Sequence, residues 1–220
     1  MVYPSSIRFP SGLYGITPEW ATQWPRLLAA IEAAAAGGMV ALQWRQKLLA
    51  NEQQLEKASE IAALCKRLGV VFIVNDDIDL AIASQADGVH VGRDDASVQL
   101  ARQKLGPKKI IGASCYNQLD RAQAAIAAGA DYIAFGSVFS SSIKPEAVRA
   151  PLSLFAQSQK CLSPLKPRPA LVAIGGITKQ NAASVVAAGA DSLAVISDLF
   201  NASDITQQAQ SYSRLFQSSL

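Results

Sequence analysis

Histidine is nearly missing from this chain of 220 residues: His90 is the only one, and it lies inside an apolar run. A lone histidine in such a run reads as a satisfied core residue, so no histidine-activated nucleophile is expected and Cys115 reads as a neutral lining residue. Cysteine is scarce too. Cys65, Cys115 and Cys161 are odd in number and far apart, which fits reduced thiols better than a disulfide framework or a zinc site, with Cys65 in helix core. No apolar run approaches the roughly 20 residues that span a bilayer. The opening residues, Met1 to Ser6, lack a charged region followed by an apolar one, so the expected location is the cytoplasm, with no membrane partner. Charge is also sparse, with 17% of residues charged and a net charge of +3. Basic residues are dispersed except around Lys166 and Arg168, which excludes a nucleic-acid face while leaving room for local phosphate pockets.

Half of the residues are apolar, enough for one sizeable core, and an α/β barrel can use the whole length, residues 1–220, as a single domain. Eight β-rich runs, at 13–16, 40–44, 70–74, 88–91, 110–114, 132–135, 170–174 and 192–196, alternate with helical segments such as 26–36, 52–68, 97–105, 119–128 and 181–188. The helix within 79–84 is unusually short. Strands alternating with helices imply a parallel sheet. An internal echo supports this order: Ala128-Gly-Ala-Asp131 recurs as Ala188-Gly-Ala-Asp191, with Gln85-Ala-Asp87 as a third version. In each a helix ends, a left-handed Gly129 or Gly189 turns the chain, and the Asp starts a strand. The expected fold is therefore α/β, a (β/α)8 barrel of the TIM type, with a doubly wound open sheet as the competing architecture. The longest polar connection, 137–151, reads as a mobile loop. The Pro-rich stretch 163–169 reads as structural punctuation on the opposite face.

Active sites of such barrels form at the carboxyl ends of the strands, so the polar residues that follow each apolar run are the candidates. The third run opens into Asn75, Asp76 and Asp77, and the fourth into Gly92, Arg93, Asp94 and Asp95. Carboxylates gathered on one rim repel unless a cation sits between them, and Mg²⁺ is the ion that joins one or two carboxylates to phosphate oxygens. Capping of the following helices is the competing explanation for the same acids. Gln43, Arg45 and Lys47 alternate along one side of the second run, either for an anionic ligand or for a neighbouring acid. Ser114 ends the fifth run, and Lys144 lies in the loop after the sixth. Cations, metal ligands and hydroxyls suit a diphosphate ester, whose oxygens gain charge as a carbon–oxygen bond breaks. After the seventh run come Gly175 and Gly176, and the eighth runs into Ile196 and Ser197. Loops at these two positions often hold a monophosphate, although a Gly-Gly pair also makes an ordinary turn.

Taken in order, Gln43-x-Arg45-x-Lys47, Asn75-Asp76 with Leu80-Ala81, Ala86-Asp-Gly-Val-His90 with Gly92 and Asp95, Ile111-Gly-x-Ser114, Lys144 and Ile174-Gly-Gly-Ile177 closely resemble thiamine-phosphate synthase over nearly the whole chain. The resemblance implies a Mg²⁺-dependent transferase that joins 4-amino-2-methyl-5-hydroxymethylpyrimidine diphosphate to a thiazole phosphate or its carboxylate, giving thiamine phosphate and diphosphate. It further implies that diphosphate leaves first and that the thiazole nitrogen captures a pyrimidine-stabilised cation. On this basis Gln43, Trp44, Arg45, Gln46, Lys47, Asn75, Ser114 and Lys144 bind the pyrimidine diphosphate, Arg45, Lys47, Ser114 and Lys144 among them acting in catalysis. Asp76 and Asp95 bind Mg²⁺, leaving Asp77 and Asp94 to cap or solvate. Ser141, Ser142, Ile143, Gly176, Ile196 and Ser197 hold the thiazole phosphate. The chain departs from the family where Arg93 stands in place of Gln, Ile143 in place of Thr, and Pro145 in place of Gly. The competing functions are a thiazole-tautomerase-type isomerase and a non-catalytic phosphate-binding barrel. The sequence leaves a homo-oligomer open.

Overall fold

Runs of Val, Ile, Leu and Ala too short for helices become strands here, and the Ala- and Leu-rich stretches between them become the helices that cover those strands. The computed structural model describes residues 8–92, 97–140, 148–162 and 164–217. The strands are β1 (Gly12–Ile16), β2 (Met39–Trp44), β3 (Val71–Asn75), β4 (Gly88–Val91), β5 (Ile110–Tyr116), β6 (Tyr132–Phe135), β7 (Ala170–Ile174) and β8 (Ser192–Val195). Each pairs in parallel with the next, and β8 returns to β1, so the sheet is a closed barrel rather than an open doubly wound one. Around it lie α1 (Trp24–Ala36), α2 (Asn51–Leu68), α3 (Ile78–Ala83), α4 (Val98–Leu105), α5 (Leu119–Ala127), α6 (Ser153–Leu162), α7 (Ala182–Ala187), α8 (Ser197–Phe200) and α9 (Ile205–Gln217).

The strands follow the sequence expectation within two residues, and the largest departure is informative. β5 continues past Ser114 to Tyr116 through a register shift against β6, and Tyr116 sits at φ +54°, a bulge at the barrel rim. The C-terminal α9 has few apolar residues. It buries Ala209 and Tyr212 and is held to α1 and the turn after it by bonds from Thr206 Oγ1 to the Ala33 carbonyl and from Ser213 Oγ to the Gly37 carbonyl.

Two apolar layers result. Between barrel and helices lies the larger one, built on side chains such as Leu42, Val74, Phe135 and Leu193. Each fully buried side chain of this size contributes about 1.5–3 kcal/mol. The barrel interior is smaller and holds Tyr14, Ala41, Ile73, Tyr132 and Val172. Phe9, just before β1, plugs its N-terminal end with ring centroids 5.1 Å from Tyr14 and 4.3 Å from Tyr132.

The repeated Ala-Gly-Ala-Asp turn is structural, as its sequence suggests. Gly129 and Gly189 sit at φ +97° and +105°. Asp87, Asp131 and Asp191 each accept a backbone N–H from the preceding strand, at Phe72, Ile111 and Leu171 respectively, at 2.7–2.8 Å. Arg102 pairs with Asp131 at 2.6 Å, and Arg168, from the Pro-rich stretch, pairs with Asp191 at 2.7 Å. These aspartates precede their strands, so the ion pairs lock the N-terminal end of the barrel.

Candidate active site

At the other end the strands open on one cavity of about 760 Å³. Strand alternation decides which residues reach it. Gln43, Arg45 and Lys47 line it, while the residues between them do not. Trp44 turns outward, where its ring meets Trp24 at 6.1 Å and its Nε1 donates to Gln54 Oε1 at 2.9 Å. Gln46 donates to Thr17 Oγ1 at 3.0 Å and to the Pro18 carbonyl at 2.5 Å, tying the exit of β2 to that of β1. Trp44 and Gln46 line a smaller pocket beside this cavity, shared with Arg45, Lys47, Asn75 and Asp76. The cations that do face the cavity are loosely paired. Arg45 Nη1 stands 3.5 Å from Glu19 Oε1, and Lys47 Nζ stands 4.0 Å from Asp76 Oδ2. Both separations exceed the 2.7–2.9 Å typical of a charge-assisted bond.

The two acids after β3 divide their roles. Asp77 accepts the Leu80 N–H at 2.8 Å and caps α3. Asp76 instead sits at φ +65°, a left-handed conformation that Asp tolerates better than most residues, with its N–H bonded to the His90 carbonyl at 2.7 Å. This turn aims the carboxylate at the cavity wall, where Asn75 Nδ2 donates to its Oδ2 at 2.5 Å. Among the described residues no cluster of three or more His, Cys, Asp or Glu converges. One hard carboxylate beside an anion-sized space still fits Mg²⁺, which takes one or two carboxylates and completes its shell with water and phosphate oxygens. Asp94 and Asp95 lie outside the described residues, as do Ser141, Ser142, Ile143 and Lys144 of the loop after β6.

Below these groups a row of polar side chains crosses the barrel. Gln43 Nε2 donates to Tyr14 Oη at 2.8 Å, and the Tyr14 and Tyr132 hydroxyls lie 2.9 Å apart. His90 Nδ1 is 3.0 Å from Tyr132 Oη, and His90 Nε2 is 2.9 Å from Ser114 Oγ. Burial pushes both tyrosine hydroxyls well above their ordinary range, so both keep their protons. His90 is the satisfied core residue the sequence suggested, yet it also lines the cavity together with Ser114. Cys115 does not. It faces the outer apolar layer, where burial pushes its thiol up to about 12. That residue is neutral as expected, but not a lining one.

The opposite wall is made of backbone and small groups. Gly175 and Gly176 sit at φ +98° and +64°. A Cβ on Gly175 would lie 2.2 Å from Ser137 Oγ, and one on Gly176 would lie 2.3 Å from the Ser140 carbonyl oxygen. These glycines let the loops after β6 and β7 touch, through bonds from Val138 N to the Ile174 carbonyl and from Phe139 N to the Gly175 carbonyl. Asn181 closes the turn by accepting the Thr178 N–H at 2.9 Å and donating to the Gly176 carbonyl at 3.0 Å. Ile196 and Ser197 complete this wall.

Comparison with known proteins shows the family of the chain. The model of the family described as thiamine monophosphate synthase matches residues 13–199. The chain is 54% identical over 212 residues to the thiamine-phosphate synthase of Bordetella pertussis, covering 96% of this chain and 97% of that protein. The chain belongs to the thiamine-phosphate synthase family. It is 52% identical over 208 residues to the enzyme of that name from Thiobacillus denitrificans, covering 94% and 96% of the two chains. Among solved structures, a thiamine phosphate pyrophosphorylase from Pyrococcus furiosus superposes with a TM-score of 0.82 at 32% identity, over 97% of this chain and 98% of that one. Members of the family are transferases, and the fold seen here is theirs.

Sequence reasoning missed Tyr14, Tyr116, Ser137, Ser140, Thr178 and Asp198, which also line the cavity. Tyr14 carried a readable signal, because barrel interiors favour branched aliphatic residues and a tyrosine there needs a partner for its hydroxyl. Asp198 carried none. Its Oδ2 accepts from the Lys179 N–H at 3.2 Å and from Tyr212 Oη at 2.6 Å, bonds that only the tertiary structure creates.

Proposed function

We propose that this chain joins 4-amino-2-methyl-5-hydroxymethylpyrimidine diphosphate to a thiazole phosphate, releasing diphosphate and forming thiamine phosphate. One observation carries the reading: the cavity has two unlike walls, each suited to a different phosphate. On the first stand Arg45, Lys47, Asn75, Asp76 and Ser114, and on the second stand Gly175, Gly176, Ile196 and Ser197. The family membership of the chain and its high identity to proteins named for this activity support the same reading.

Arg45, Lys47, Asn75 and Ser114 hold the diphosphate, with Gln43 beneath them. Asp76, joined by Asp95, would hold Mg²⁺, which when bound neutralises charge on the diphosphate oxygens. Chemistry begins when the bond between the pyrimidine methylene carbon and the diphosphate oxygen breaks, the electron pair leaving with oxygen. Arg45 and Lys47 stabilise the charge that grows there, joined by Lys144 in the loop after β6. The thiazole nitrogen then gives its lone pair to the methylene carbon. Gly176, Ile196 and Ser197, with Ser141 to Ile143, hold the thiazole phosphate so that this nitrogen faces the carbon. No protein nucleophile is required, in keeping with a site whose nearest thiol, Cys115, faces away. The location that suits this reading is the cytoplasm; no helix among the described residues is long and apolar enough to cross a membrane. Incubating the two substrates with Mg²⁺ and measuring thiamine phosphate tests the proposal: product should appear only with both substrates present, and its absence would refute the assignment.

A further inference from the structure

Two acids stand beside the cations of the mouth, and the function proposed above uses only one of them. Asp76, near Lys47, would turn to Mg²⁺. Glu19, near Arg45, has no part in that reading and does not line the cavity. It belongs to a bracket that begins where the backbone pairing of β1 with β2 ends, at Ile16 and Gln43. Thr17 Oγ1 accepts the Arg45 N–H at 2.9 Å and a proton of Gln46 Nε2 at 3.0 Å, and it donates to the Arg45 carbonyl at 3.2 Å. Glu19 continues the bracket: its Oε1 accepts the Lys47 N–H at 3.1 Å and its Oε2 accepts the Leu48 N–H at 3.4 Å. Trp20 pins the far side, its ring lying under the Arg26 guanidinium at 3.7 Å and 6.3 Å from the ring of Phe200. Glu19 is therefore anchored by backbone, and its place does not depend on Arg45.

That anchored carboxylate stands 3.5 Å from Arg45 Nη1, with both side chains partly exposed. A pair so long and so open to water adds little to stability. A neutral side chain could brace the same backbone, so the charge calls for its own explanation. We propose that Glu19 is a positioning residue that loosens the grip of Arg45 on the diphosphate, so that the leaving group can be released. This rests on the function proposed above. Cations that stabilise charge growing on departing oxygens also bind the departed group, and release of product limits turnover in many enzymes. Glu19 offsets part of the guanidinium charge and draws it toward the β1 side of the mouth without closing on it. Arg45 stays available to a ligand and is kept from holding it too tightly.

Glu19→Gln tests this, because it keeps the length of the side chain and a carbonyl for the Lys47 N–H while removing the charge. The measurement is calorimetric titration with inorganic diphosphate in the presence of Mg²⁺. At about 0.05 M salt the variant should bind diphosphate about five-fold more tightly than the parent; at about 0.5 M salt, where exposed charges are screened, the difference should fall below about two-fold. The side chain is partly exposed, so the melting temperature should stay near that of the parent. Equal affinities at low salt, or weaker binding by the variant, would mean that Glu19 only braces the backbone and would overturn the proposal. A gain undiminished at high salt would overturn it too, since charge could not be its source. In an Arg45→Gln background the same change should alter affinity less than about two-fold. A full gain there would mean that Glu19 repels the ligand directly, and would overturn its action through Arg45. These titrations need no turnover, so a protein that made no thiamine phosphate would refute the proposed function and leave Glu19 to be judged by them alone.

Discussion

The two ends of the barrel treat charge in opposite ways. At the N-terminal end, Arg102 and Asp131 meet at 2.6 Å and Arg168 and Asp191 at 2.7 Å, and the same carboxylates also satisfy backbone N–H groups of β5 and β7. At the C-terminal mouth, Arg45 and Lys47 stand 3.5 and 4.0 Å from Glu19 and Asp76, their nearest acids among the described residues. Positive φ occurs at both ends, at Asp76, Tyr116, Gly175 and Gly176 around the mouth and at Gln85, Gly129 and Gly189 in the turns that enter the strands, but at the mouth it falls on residues that line the cavity. Groups paired at contact distance hold a fold, whereas groups held near one another without closing are free to close on a ligand. Strain stored at the mouth is affordable because the other end and the two apolar layers over-determine the barrel.

Four changes would break or sharpen this contrast. The largest effect is expected from Asp76→Asn, which keeps a side chain that tolerates left-handed backbone but removes the charge. Turnover should fall about 10²- to 10³-fold with little change in melting temperature, as read by diphosphate release and thermal unfolding. At the other end the pattern should invert. Asp191→Ala leaves Arg168 and the Leu171 N–H without their carboxylate, and urea unfolding should show a loss of about 2–3 kcal/mol while kcat of the folded protein stays near the parent value. A smaller effect is expected from Gly176→Ala, which puts a Cβ in left-handed backbone against the Ser140 carbonyl. The KM for the thiazole phosphate should rise about ten-fold, with that for the pyrimidine diphosphate little altered.

The smallest effect lies in the apolar layer that joins the two ends. Burial pushes the thiols of Cys65 and Cys115 from 9.0 up to about 12. Between those values the unfolded chain gives up protons that the folded chain keeps, so the folded state binds more protons and stability falls as pH rises from about 9 to about 12. Replacing both cysteines with Ala should make that part of the profile less steep in urea unfolding, the buried Tyr14, Tyr132 and Tyr212 hydroxyls, also raised, carrying the slope that remains. Loss of stability on the acid side instead would contradict the sign.

The barrel was legible in the sequence because alternation of strand and helix survives without any tertiary information. Eight apolar runs, each followed by a helical stretch, admit few closed arrangements, and the repeated Asp at 87, 131 and 191 marked the starts of β4, β6 and β8. The mouth was legible where chemistry and period agree, as in Gln43, Arg45 and Lys47. The other two residues of that stretch of five, Trp44 and Gln46, occupy the alternate positions and line the smaller pocket beside the cavity. Tyr14 and Tyr132 escaped notice. An aromatic residue in an apolar run looks like core, and only the closed barrel shows that their hydroxyls meet each other and His90. Asp76 and Asp77 are neighbours of one type, and the choice between cap and ligand became visible only in the backbone, extended at Asp77 and left-handed at Asp76.

On the function proposed, the C-terminal mouth is a diphosphate site organised by Asp76 through a divalent cation. Calorimetric titration of the protein with inorganic diphosphate, with and without Mg²⁺, tests it most directly when Asp76→Asn is run beside the parent. Mg²⁺ should tighten diphosphate binding to the parent by at least ten-fold and leave the variant's affinity unchanged, the counterpart of about 1.4 kcal/mol. Equal tightening in both proteins would contradict the claim.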